Sequence, residues 1–173
     1  MCASTMFVIG SAAMVSRQPF IFPSLGPTAL MIFAHPLRRE ASPRHVLVGH
    51  AIGAGSGYLA LAVTGLLTVP FSTTISLHRV LAGAIALSLT AAIMTLARAE
   101  HAPAGATTLI VALGILPLLA DFVTLMIAVF ALTVLGLAIN RLFGIAYPYW
   151  KPLEPYRLRH GDATRASTGN NLL

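Results

Sequence analysis

Three stretches of this chain, residues 46–71, 80–97 and 122–139, run without a single Asp, Glu, Lys or Arg. Nothing else in the sequence restricts the fold as much. A hydrocarbon core about 30 Å thick is crossed by roughly 20 helical residues, and each run approaches or exceeds that length. Only 9% of the residues are charged and 57% are hydrophobic, against about 25% charged in soluble domains. The fold class expected is an all-α membrane protein, and its first partner is the lipid bilayer.

The other apolar segments are less regular. Residues 3–15 are apolar but short for a span. Residues 20–36 are broken by Pro23, Gly26 and Pro27, and residues 102–119 by Pro103, Gly105 and Pro117. The run Gly26, Pro27, Thr28, Ala29, Leu30 matches Gly105, Ala106, Thr107, Thr108, Leu109 at a shift of 79. Both open a short apolar segment, with a longer one on either side. The chain therefore reads as two copies of long helix, interrupted short segment, long helix. This predicts four long transmembrane helices plus two short half-helix segments, a 3+3 inverted repeat. Repeat one covers residues 1–71 and repeat two 72–146, within a transmembrane domain of residues 1–146. Residues 147–173 form a basic cytoplasmic tail, expected to be partly disordered.

Charge supports six crossings over four. With six, Arg38, Arg39, Arg44, Arg98, Arg141, Lys151, Arg157, Arg159 and Arg165 share one side, leaving Arg17 and Arg79 on the other. With re-entrant short segments the bias disappears. The positive-inside rule then places both termini in the cytoplasm of a multi-pass plasma-membrane protein. The net charge of +6 is explained by these loops, and no nucleic-acid partner is expected. The single cysteine, Cys2, excludes an intramolecular disulfide and a cysteine-based zinc site. No histidine–carboxylate spacing suits a metal.

A crossing of 17 or 18 residues that contains a loop is not all helix. Pro27 and Pro103 suit a helix entry, and irregular backbone at depth must be buried in protein or face a cavity. Two inverted half-helices would bring their N-termini together, where free N–H groups attract a small anion. Gly26, Pro27, Pro103, Gly105 and Ala106 would shape that site. Ser24, Thr28 and Thr107 would add hydroxyls, or else bond back to the preceding turn.

The segments FPSLGPTALMIFAHPL, PRHVLVGH, HAPAGATTL and YPYW together resemble the HPP family of integral membrane proteins, over residues 20–150. The family takes its name from a His-Pro-Pro motif before Ala-Gly-Ala-Thr. Here that position reads His101, Ala102, Pro103, Ala104, Gly105, Ala106, Thr107, with alanine at the first proline. The resemblance implies a fold usually described as four spanning helices. Some plant members are associated with nitrite transport into plastids, so it also implies anion transport, with nitrite the leading substrate.

His101 stands at the mouth of the second short segment and is a candidate to carry a coupled proton. The alternative is a loop histidine bonded to backbone. His50 lies in a long span, where ionisable groups face a partner or a cavity, unless it reaches the interface. Asp121 opens the last span as a helix cap or a third proton-relay group. Arg38, Arg39 and Arg44 would anchor lipid phosphates, with Glu40 paired among them. No nucleophile–base pair, phosphate loop or metal cluster is apparent, so neither an enzyme nor a cofactor is expected. The second functional class is a non-transporting scaffold or partner subunit, with Gly49, Gly53 and Gly57 as an association stripe. A chain this small has little room for a pore, which points to a homo-oligomer.

Overall fold

The computed structural model describes residues 2–16, 22–72 and 76–152. These form helices α1 (Cys2–Ser16), α2 (Leu25–Ala34), α3 (Pro43–Val63), α4 (Leu77–Leu96), α5 (Ala104–Ala112) and α6 (Leu119–Leu142), with a 3₁₀ turn at Arg39–Ala41. No strand occurs among the described residues. The expected tail lies, from residue 153 onward, outside the described residues.

Among the described residues, three helices, α3, α4 and α6, are long and apolar enough to cross a membrane. The sequence suggested four. The fourth segment is α1, whose 15 residues span about 22 Å at 1.5 Å per residue. The interrupted segments contain short helices of 10 and 9 residues. Each begins late in its segment, after the proline-bearing stretch.

Hydrogen bonds fix the two ends of the molecule. At the start of α3, Arg44 donates to the carbonyls of Arg98 (2.7 Å) and Ala97 (2.9 Å), where α4 ends. Its backbone N–H donates to the Trp150 carbonyl. Tyr147 donates its hydroxyl to the Ala41 carbonyl, and Arg141 donates to the Tyr147 carbonyl. Arg44, Arg98 and Arg141 thus gather at one basic end. Arg44 closes the C-terminus of α4, where lipid contact was expected. Burial holds the Tyr147 phenol above the usual tyrosine range. At the far end, the Tyr58 hydroxyl reaches the Leu116 and Leu118 carbonyls.

The glycine stripe explains how α5 is seated. A Cβ on Gly49, Gly53 or Gly57 would lie 2.7 Å from His101, Ala104 or Val111 respectively. These positions have no room for a side chain, and the backbones approach closely as a result. The stripe is consumed inside the chain, so it offers no surface to another protein. α5 starts beside the middle of α3 and runs toward the far end, where α6 begins. α2 packs the same way on α6. A Cβ on Gly136 would lie 2.6 Å from Ile32 Cγ2, and Asn140 Nδ2 donates to the Ile32 carbonyl at 3.2 Å. α2 therefore heads toward the basic end, opposite to α5.

The shift of 79 seen in the sequence recurs in these contacts. Gly57 against Val111 becomes Gly136 against Ile32. Gly65 (φ +71°) and Gly144 (φ +76°) close α3 and α6 in the left-handed conformation that glycine adopts without strain. Leu66 N–H then donates to the Leu61 carbonyl, and Ile145 N–H to that of Asn140. Helix neighbours correspond as well: α1–α2 with α4–α5, α1–α6 with α4–α3, and α2–α6 with α5–α3.

Candidate functional site

The first turns of α2 and α5 meet around His50 of α3. Thr28 Oγ1 lies 2.9 Å from His50 Nε2, and Thr107 Oγ1 lies 2.8 Å from His50 Nδ1. One imidazole therefore bridges the two threonines that the sequence match had paired. His101, in the loop before α5, places Nε2 3.2 Å from Thr28 Oγ1 and Nδ1 2.8 Å from the Glu40 carbonyl. The two imidazoles stand 5.1 Å apart. Ser24, Thr28, His50, His101 and Thr107 are all fully buried.

Proton counting assigns most of this node. A carbonyl only accepts, so His101 Nδ1 carries a hydrogen toward Glu40. Neutral His101 then accepts at Nε2, and Thr28 donates to it. His50 Nε2–H donates to Thr28, and Thr107 donates to His50 Nδ1. The result is a head-to-tail chain from Thr107 through His50, Thr28 and His101 to the Glu40 carbonyl. Thr28 Oγ1 also lies 3.0 Å from the Ser24 carbonyl, but its single hydrogen serves one acceptor at a time. Protonating His101 reverses its bond to Thr28 and frees the hydroxyl to donate to Ser24.

Ser24 lies one turn before Thr28, and its carbonyl faces the Thr28 hydroxyl. It precedes α2, yet its hydroxyl makes no cap bond and has no partner, although it is buried. An orphaned buried hydroxyl costs about 1–3 kcal/mol. The N–H groups that open α5 are not free: Ala104, Gly105 and Ala106 donate to the carbonyls of His101, Ala102 and Pro103. Beside the node, Thr90 and Thr108 hydroxyls pair at 3.0 Å.

Pro27, Ala102, Pro103 and Ala106 line a groove of about 650 Å³, together with Leu30, Met31, Ala34 and His35. The groove is apolar; it takes Pro27, Pro103 and Ala106 of the expected anion-shaping residues, while Thr28, Thr107 and His101 belong to the polar node. Gly26 and Gly105 are half-buried. Asp121 lies at the far end, away from both. Its Oδ2 accepts from the Leu118 N–H at 2.9 Å, a cap at the start of α6. His45 was not singled out in the sequence. It is buried and its Nδ1 lies 2.8 Å from Ser42 Oγ. Its position in the first turn of α3 gave no signal of that burial. Among the described residues, no three His, Cys, Asp or Glu side chains are grouped to hold a metal.

The profile of the HPP transmembrane region matches residues 1–148. No curated protein and no solved structure matches the chain.

Proposed function

The chain belongs to the HPP family of membrane proteins, and from that premise we propose that it is a transporter of a small inorganic anion, with nitrite the leading substrate. The reading is transport without catalysis or a cofactor. The observation that carries it is the His50 bridge between Thr28 and Thr107. Ionisable groups this deep in a membrane protein mark functional paths, and this one ties together two short helices that run to opposite ends.

The contacts related by a shift of 79 support a 3+3 inverted repeat, the layout of many transporters that bind substrate between repeats. The node is then the closed form of the site. An entering oxyanion would displace one imidazole–hydroxyl bond and accept from Thr28, Thr107 and the unpaired Ser24 hydroxyl. His101 would take up a proton as the negative charge arrives, because a charge pair is less costly to bury than a lone anion. The repeats differ where this chemistry sits: the positions matching His50 and His101 are Val129 and Phe22.

Nitrite uptake into proteoliposomes tests this reading. The wild type should take up nitrite saturably, and faster with an inward proton gradient. His50→Ala should lose about tenfold or more, and His101→Gln should lose the response to the gradient. Uptake no faster than protein-free vesicles for nitrite, nitrate, formate and chloride alike would remove the anion reading.

A further inference from the structure

Arg79 presents a separate problem at the far end of the molecule. It lies in the first turn of α4, is only 6% exposed, and keeps its charge in any protein environment. Its Nη2 donates to the Val69 and Pro70 carbonyls, both neutral. Its Nη1 is buried with no partner. The guanidinium presses against the end of α5: a Cβ on Gly114 would sit 2.7 Å from Nη1. The negative pole of α5 offsets part of the charge, but it provides no hydrogen bond. Leu113, Gly114 and Ile115 N–H groups already occupy the Leu109, Val111 and Ile110 carbonyls. Among the described residues, the acidic group at this end is Asp121, which accepts from the Leu118 N–H. Glu40 and Glu100 belong to the basic end.

A buried cation left with an unfilled donor is strongly unfavourable. At the same end, Leu67, Thr68, Pro70, Pro117, Leu118 and Leu119 line a groove of about 590 Å³. Pro70 belongs to both features, since its carbonyl holds Arg79. We propose that Arg79 is the anchor of a binding site for an oxyanion group, reached from this groove and distinct from the His50 node. The ligand is a phosphate-type oxyanion, carried on an anionic lipid headgroup or free in solution. Such groups match the planar donor edge of a guanidinium. The site does not depend on the transport reading, and failure of nitrite uptake leaves it standing.

The test follows thermal unfolding of delipidated protein in neutral detergent by Trp150 fluorescence. One arm titrates sodium phosphate against sodium chloride at matched ionic strength. The other dopes the micelles with phosphatidylglycerol. At least one probe should raise the melting temperature saturably. A response to phosphate identifies a free anion, and a response to phosphatidylglycerol alone identifies a lipid. Arg79→Lys keeps the charge and the fold but loses the fork, so its midpoint should weaken roughly tenfold. Arg79→Gln should not respond. Absence of a saturable response to both probes, or an unchanged midpoint in Arg79→Lys, overturns the site.

Discussion

Thr28 and Thr107 occupy matching positions, yet the node loads them unequally. Thr28 Oγ1 meets His50, His101 and the Ser24 carbonyl, whereas Thr107 Oγ1 meets His50. Replacing Thr28 by valine keeps the shape and strands a ring nitrogen on each imidazole. At about 1–3 kcal/mol for each stranded buried group, the loss is roughly twice that of Thr107→Val, which strands one. Thermal unfolding in detergent should order the variants wild type, Thr107→Val, Thr28→Val. Equal melting temperatures for the two variants would mean that Thr28 is not the hub. The sequence made both threonines legible, because glycine, threonine and leucine recur at a fixed shift. It did not reveal their common partner. His50 lies 22 residues from Thr28 and 57 from Thr107, and only the packing of α2 and α5 on opposite sides of one node joins them.

Among the elements, α3 is set by its glycines. Gly53 faces the Ala104 carbonyl, which cannot move without shifting α5, whereas Gly55 has nothing within 4 Å of a built Cβ. Gly55→Ala should therefore stabilise the helix by about 0.5–1 kcal/mol through backbone entropy. Gly53→Ala should destabilise it by about 1–3 kcal/mol through overpacking. Gly57→Ala meets Val111 Cβ and Cγ1 and, at 3.1 Å, the Thr108 carbonyl, so it should destabilise as well, and Val111→Ala, which keeps Cβ, should not rescue it. Thermal unfolding of these four variants checks the pattern. A destabilised Gly55→Ala, or a Gly53→Ala as stable as the wild type, would contradict this packing. The spacing of four was readable as a close-packing face, but not what packs on it. Glycine marks the missing side chain and carries no trace of its neighbour, so an association surface and an internal seat look alike in sequence. The short helices were legible from their prolines, and α1, read as apolar but short for a span, is a helix of 15 residues.

For the whole molecule, the decisive question is whether the short segments carry the chain from one end to the other. Each has too few helical residues to span a bilayer alone, so composition leaves the path open. Contacts constrain it. His101, before α5, bonds the Glu40 carbonyl toward the basic end, while Leu116 and Leu118, after it, meet Tyr58 late in α3. The chain therefore changes ends between Arg98 and Leu118, with α5 covering only part of the distance. If this axis is the membrane normal, single cysteines at Leu37 and Leu118, both exposed, lie on opposite sides. In a Cys2→Ser background in intact cells, an impermeant maleimide should label position 118, and label position 37 only after permeabilisation. The basic end faces the cytoplasm in that outcome, the side on which the positive-inside rule puts the gathered arginines. A re-entrant α5 would return the chain to its starting side and give both positions the same accessibility. That result would remove the opposed half-helices, and with them the reason to read the His50 node as a site opened from either side.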